Sequence, residues 1–96
     1  MIKSFRSKLA EDVFDGTNGK EVRKLPSNLL KVAARKLDMV NSAIVIDDLR
    51  QPPGNRLEKL SGNLEEFHSI RINNQYRVIF MWRGSDAFEV DIVDYH

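Results

Sequence analysis

Residues 67–82 read F-H-S-I-R-I-N-N-Q-Y-R-V-I-F-M-W, two runs of alternating side chains around a short polar loop. Because successive side chains of a strand point to opposite faces, the even positions of both runs can share one buried face. They do so when Ile72 pairs with Tyr76 across residues 73–75, a loop length that suits an Asn in the left-handed conformation. The stretch therefore predicts a β-hairpin whose buried face carries Ile70, Ile72, Tyr76, Val78, Phe80 and Trp82.

This register has a consequence for the other face of the hairpin. A slip by one residue would turn the apolar set toward water, so burial selects the even-with-even pairing. Arg71 and Arg77 then stand opposite each other on the polar face. Since like charges placed directly opposite destabilise a sheet, the pair indicates an anionic ligand, and phosphate is the first candidate.

A last strand, predicted over residues 87–95, joins the hairpin by the same rule. Phe88, Val90 and Ile92 alternate with polar residues and are expected on the buried face. Pairing Val90 with Phe80 satisfies this and continues the sheet toward the end of the chain.

The same pairing gathers polar side chains at one end of the sheet. It puts Tyr95 beside Arg77 on the polar face, with Asp94 and His96 flanking the tyrosine. A short strand predicted over residues 56–60 carries Glu58 and Lys59, which can border the same area. The sequence does not fix where that strand lies.

Two helices are predicted before the strands. Ser7 is the expected N-cap of a helix over residues 8–14, which the Gly- and Asn-containing residues 15–19 end. Ser27 is the expected cap of a second helix over residues 28–42, and residues 20–24 are expected to form a flexible linker. The second helix has an apolar stripe with the 3, 4, 3, 4 spacing of an amphipathic helix, which comprises Leu30, Ala33, Leu37, Val40 and Ile44.

Composition restricts the protein to few classes. A chain of 96 residues builds one small core, so residues 1–96 are expected to form a single α+β domain with helices on one face of an antiparallel sheet. The absence of Cys favours a cytoplasmic protein, and no apolar run predicts a membrane span. Residues 1–37 hold nine Lys/Arg against four Asp/Glu, which suits an anionic partner or a solvated helical surface. His68 has the parity of the core and is assigned a structural role.

The polar group fits metal-independent cleavage of RNA, in which a 2′-hydroxyl attacks the adjacent phosphate. Glu58, Asp94 or His96 can supply proton transfer. Arg71 and Arg77 can bind the phosphate and stabilise charge in the transition state, while Tyr95 can stack on a base. No metal-ligand spacing and no phosphate-binding Gly loop is present, so no cofactor is expected.

Three stretches also resemble a known family. P-P-G-N-R-L-E-K-L-S-G, the hairpin S-I-R-I-N-N-Q-Y-R-V-I-F-M-W and the final V-D-I-V-D-Y-H are similar to HigB-type toxins of the RelE/ParE superfamily, a GraT-like subgroup among them. The resemblance implies two helices packed on a curved antiparallel sheet. It matches Arg77 to a phosphate-binding arginine, and Asp94, Tyr95 and His96 to a terminal active-site group. Some members have His where this chain has Glu58; Lys59 and Arg71 are carried as RNA-binding residues.

The resemblance further implies an activity and partners. It indicates the toxin of a type II toxin–antitoxin system, a ribosome-dependent mRNA endonuclease held inactive by a HigA-like helix-turn-helix antitoxin. Contact with operator DNA would run through that antitoxin. Two alternatives stay open: a non-enzymatic ParE-like poison of DNA gyrase, and a catalytically weak member that acts mainly as an antitoxin-bound co-repressor.

Overall fold

A computed structural model describes residues 1–95 of the chain. Two helices, α1 (Lys8–Asp15) and α2 (Ser27–Ser42), precede an antiparallel sheet of four strands, whose spatial order β1-β2-β3-β4 follows the chain. The strands are β1 (Glu58–Lys59), β2 (Phe67–Arg71), β3 (Tyr76–Arg83) and β4 (Asp86–Asp94). The predicted α+β class is confirmed. No helix within residues 1–95 is long and apolar enough to cross a membrane.

The two helices differ in how their ends are capped. The Ser7 hydroxyl accepts the Ala10 N–H at 3.1 Å, and Gly16, at φ 76°, ends α1 in the left-handed conformation. The prediction for α1 is therefore confirmed to within a residue. The prediction that Ser27 caps α2 is wrong, since Ser27 is already helical and Pro26 occupies the cap position without a side-chain bond.

The apolar stripe of α2 stops earlier than its sequence pattern. Ala33, Leu37 and Val40 are buried, but Ile44 is 67% exposed. The reason is that α2 ends at Ser42, and the Asp48 carboxylate then accepts the N–H groups of both Ile44 and Val45 in a turn that points them outward. The expected flexible linker is also structured, because Val22–Lys24 form a 3-10 turn whose Val22 packs into the core.

The hairpin register is as predicted. Arg71 pairs with Arg77 and Ile70 with Val78, and the Ile72 N–H donates to the Tyr76 carbonyl at 2.9 Å. Its loop differs, because no Asn there adopts a positive φ. The Asn73 side chain closes the turn instead, accepting the Gln75 and Tyr76 N–H groups at 2.9 and 2.7 Å.

The core lies between this hairpin and the helices. Ile70, Val78 and Phe80 are fully buried there, and Trp82 is half-buried with its ring edge-on to Phe80. Burial is not confined to the helix-facing side, because Ser69 and Ile79 on the other face are also fully buried.

Strand β4 departs from the predicted pairing half-way along. Ile92 pairs with Val78 and Val93 with Arg77 as expected, but Met81 pairs with Phe88. A bulge at Glu89, whose φ is 52°, places both Glu89 and Val90 opposite Phe80. The bulge shifts parity by one residue. The prediction of Phe88 on the buried face is therefore wrong, and Ala87 takes that place.

Candidate anion-binding site

Arg77 is the centre of the polar group on the sheet face that turns away from the helices. Its side chain is 12% exposed and lies 3.3 Å from the Glu58 carboxylate, between Nη1 and Oε1. The same nitrogen donates to the Ser69 hydroxyl at 2.5 Å and to the Arg56 carbonyl at 3.4 Å. These acceptors fix the direction of the guanidinium group before any ligand arrives.

An aromatic ring completes the environment of Arg77. The guanidinium carbon lies 5.3 Å from the centre of the Tyr95 ring, within the range of a cation–π contact. Tyr95 is 42% exposed, so much of the ring is open to solvent. Its position is set by the backbone, because the Tyr95 N–H donates to the Gln75 carbonyl at 2.6 Å.

Arg71 pairs with Arg77 across β2 and β3. Its guanidinium group donates to the side-chain oxygen of Asn74. A polar pocket of about 360 Å³ opens between the two arginines, lined by Arg56, Arg71, Asn73, Asn74, Arg77 and Tyr95. A cationic pocket with amide and aromatic edges suits a phosphate attached to a nucleotide.

The two predicted site residues of the short strand β1 lie on opposite faces of the sheet. Glu58 pairs with Ser69 and so reaches Arg77 on the pocket face. Lys59 pairs with His68, which is on the opposite face. The structure therefore brings Glu58 to the pocket and does not bring Lys59, because neighbouring residues of a strand point to opposite sides.

The end of the chain is described up to Tyr95. Asp94 pairs with Tyr76, and its carboxylate accepts the Gln75 side-chain amide at 3.0 Å. It does not line the pocket. His96, the remaining member of the predicted terminal group, lies outside the described residues.

Two site residues were absent from the sequence prediction. Arg56 lines the pocket and also supplies a carbonyl to Arg77. Ser69, which accepts from Arg77, shares its parity on the hairpin, so the register rule contained the signal for it. No such signal exists for Arg56, because its backbone is left-handed, at φ 47°, and does not follow the alternation of a strand.

A buried polar cluster holds the turn that precedes Arg56. The Lys36 ammonium donates to the Asn55 side-chain oxygen at 2.5 Å, and the Asn55 amide donates to the carbonyls of Leu49 and Gln51 at 3.1 and 3.3 Å. Burial, and secondarily the charge of Arg35, lowers the pKa of Lys36. The cluster ties α2 to the loop that presents Arg56.

His68 lies on the helix-facing side, as predicted. Its ring stacks on Phe80 with the ring centres 6.2 Å apart, and its Nδ1 is buried without a hydrogen-bond partner among the described residues. Burial, with a smaller contribution from Lys59, lowers the pKa of His68. Its role is in packing, away from the pocket.

Comparison with known proteins now assigns a family. A model of the RelE-like toxin of the type II toxin–antitoxin system HigB matches residues 3–96. The chain belongs to the HigB-like toxins. This HigB-like toxin is 43% identical to toxin HigB-1 of Vibrio cholerae over 82 residues, which is 85% of this chain and 84% of that protein. It is 49% identical to an uncharacterised Haemophilus influenzae protein over 64 residues, covering 67% of this chain and 63% of the other.

Solved structures show the same fold at lower identity. YoeB of Staphylococcus aureus in its heterotetrameric complex with YefM superposes with a TM-score of 0.58 at 15% identity, covering 100% of this chain and 98% of that one. The YoeB dimer from the same organism gives 0.58 at 21% identity, covering 99% and 94%. The HigB-like toxin therefore has the fold of RelE-like toxins.

Proposed function

We propose that this HigB-like toxin is a ribosome-dependent mRNA endonuclease that inhibits translation and is neutralised by a HigA-like helix-turn-helix antitoxin. The observation that carries the proposal is the pocket in which Arg77, held by Glu58 and Ser69, faces open space beside Arg71 and Tyr95. The guanidinium group of an arginine can donate two parallel hydrogen bonds to a phosphate, and a neighbouring exposed ring can stack on a base.

The proposed reaction uses the 2′-hydroxyl of the substrate as nucleophile and side chains of the toxin for proton transfer. The 2′-oxygen forms a bond to phosphorus while the bond from phosphorus to the 5′-oxygen breaks. A base takes the 2′-hydroxyl proton, and an acid returns one to the leaving oxygen, giving a cyclic phosphate and a 5′-hydroxyl. Arg77 and Arg71 would stabilise the charge that grows on the phosphate oxygens.

The proton-transfer groups come from Glu58, Asp94 and His96. Glu58 is supported by position, because its carboxylate is already beside the guanidinium group that would hold the phosphate. Asp94 and His96 are supported by the family resemblance of the terminal D-Y-H. A carboxylate bound to Arg77 in place of the His of some relatives is consistent with slow cleavage, and this observation keeps the co-repressor alternative as a second candidate.

The ribosome has a definite part in the proposal. The pocket opens on the surface of a four-stranded sheet. Positioning the 2′-hydroxyl in line with the leaving oxygen accounts for a large share of the barrier. The decoding ribosome would supply that alignment.

The test is to map mRNA 5′ ends after brief induction in cells without antitoxin, for the wild type, Arg77→Ala and a variant lacking His96. We expect ends clustered in frame within translated codons in the wild type, and none in either variant. Arg83→Ala is the matched control, since Arg83 is on the same strand and contacts Phe88 at its far end. Thermal unfolding checks that every variant is folded.

Other outcomes would replace the proposal. In-frame ends that persist in Arg77→Ala would remove the pocket from the reaction. Intact mRNA with accumulating DNA breaks would favour the ParE-like alternative. Intact mRNA together with antitoxin-dependent repression of the promoter would favour the co-repressor alternative.

A further inference from the structure

The charge of the pocket exceeds what one phosphate needs. Three arginines line it, Arg56, Arg71 and Arg77. Within residues 1–95 a single carboxylate forms an ion pair with any of them, Glu58 with Arg77. Arg71 donates to the neutral amide of Asn74. Among the described residues, Arg56 and Arg71 therefore have no carboxylate partner, and two phosphodiesters carry two negative charges.

Arg56 is presented to the pocket by an unusual backbone. It follows the Pro53–Asn55 turn and adopts φ 47° and ψ 54°, a conformation uncommon for a residue with a Cβ. Buried Asn55 holds this turn through Lys36 and two backbone carbonyls. Uncommon backbone that is fixed from several directions is typical of functional sites.

The backbone and the side chain of Arg56 have separate tasks. Its carbonyl accepts from Arg77, which any residue at this position can provide. Its side chain is exposed and has no ion-pair partner in the described part of the chain. An exposed cation next to Arg77, with no carboxylate partner within residues 1–95, points to a ligand that supplies the negative charge.

We propose that Arg56 forms a second phosphate subsite, which binds the phosphodiester next to the one held by Arg77 and Arg71. The inference rests on the proposed RNA substrate. It defines the minimal ligand as a single-stranded ribonucleotide segment with two consecutive phosphodiesters, and it makes Arg56 a binding residue of the pocket.

The experiment compares purified toxin variants with 2′-O-methyl oligonucleotides, which cannot be cleaved by 2′-hydroxyl attack, carrying one, two or three phosphodiesters. Arg56→Gln removes the charge and keeps a long side chain, and Arg56→Lys retains the charge. Arg35→Gln is the matched control, because Arg35 is an exposed arginine of α2 outside the pocket. Fluorescence anisotropy gives the affinities at several salt concentrations.

We expect the wild type to gain about tenfold in affinity from the second phosphodiester, the size of one charge-assisted contact. Arg56→Gln should lose that gain while binding the one-phosphodiester ligand as before, with Arg56→Lys and Arg35→Gln close to wild type. The slope of log affinity against log salt should fall by about 0.7 for the longer ligands in Arg56→Gln.

Several results would overturn the subsite. These are no gain from the second phosphodiester in the wild type, an unchanged gain in Arg56→Gln, or an equal loss in Arg35→Gln. Failure of the proposed function is recognised separately, by the absence of in-frame mRNA ends in cells that express the wild type. If the wild type produces in-frame mRNA ends but Arg56→Gln keeps the full affinity gain from the second phosphodiester, the proposed function stands and only the subsite is rejected.

Discussion

Among single residues, Arg77 is where a protein carboxylate and an RNA phosphate would compete for the same guanidinium group. The Glu58 carboxylate is 3.3 Å from Arg77 but 47% exposed, so the pair is screened by water and easily opened. We expect Glu58→Gln to bind a non-cleavable oligonucleotide more tightly, by up to about fivefold, since an exposed pair contributes at most about 1 kcal/mol. Anisotropy measures this, with exposed Glu66→Gln as control; unchanged or weaker binding would contradict it.

Tyr95 gives a second prediction at this scale. Its ring is 5.3 Å from the Arg77 guanidinium carbon and is open on the other side. Tyr95→Phe should keep the affinity for RNA, whereas Tyr95→Leu should lose about tenfold, because stacking on a base contributes about 1–3 kcal/mol. Binding of the same oligonucleotides checks both changes. Equal losses in the two variants would assign the effect to the hydroxyl group instead of the ring.

At the scale of elements, the hydrogen bond from Lys36 to Asn55 connects α2 to the loop before β1, which carries Arg56 of the pocket. Asn55→Ala should lower the free energy of unfolding by about 2–4 kcal/mol, because it leaves a buried ammonium without a partner. Adding Lys36→Met should recover part of the loss, since it removes that charge. Urea unfolding of the two single variants and the double variant gives the coupling; additive losses would contradict it.

The elements also show what the sequence could and could not predict. Alternation fixed the hairpin register and hence the facing pair Arg71 and Arg77, because a slip would expose the core. Alternation failed at Phe88, where a bulge at Glu89 reverses parity, and at Ile44, where Asp48 turns the chain away from α2. The bulge is bound to a residue distant in sequence, since the Glu89 N–H donates to the Ser4 hydroxyl, whereas the Asp48 turn is local but lies beyond the end of the helical pattern. Arg56 was missed because its left-handed backbone interrupts the alternation before β1.

For the whole molecule, His68 gives the expected response of stability to pH. Its pKa is lowered from 6.5 by burial, so the folded protein takes up a proton at lower pH than the unfolded chain. The contribution of His68 to the free energy of unfolding is therefore fully present above about pH 6.5. It decreases as the pH falls toward the lowered pKa, and below that pKa no further loss occurs. Urea midpoints across this range should decline less steeply for His68→Phe, with Lys59 left in place. An identical pH profile would contradict the assignment.

The turn between β3 and β4 is a suitable place to attach a fluorophore for detecting binding of this toxin to a larger assembly. Ser85 in that turn is exposed, and the eight residues of β3 separate it from the pocket end by about 23 Å at ~3.3 Å per residue. Because the chain has no Cys, Ser85→Cys would carry a fluorophore at one defined position. A dye there would report energy transfer to a labelled partner while leaving the arginine pocket untouched.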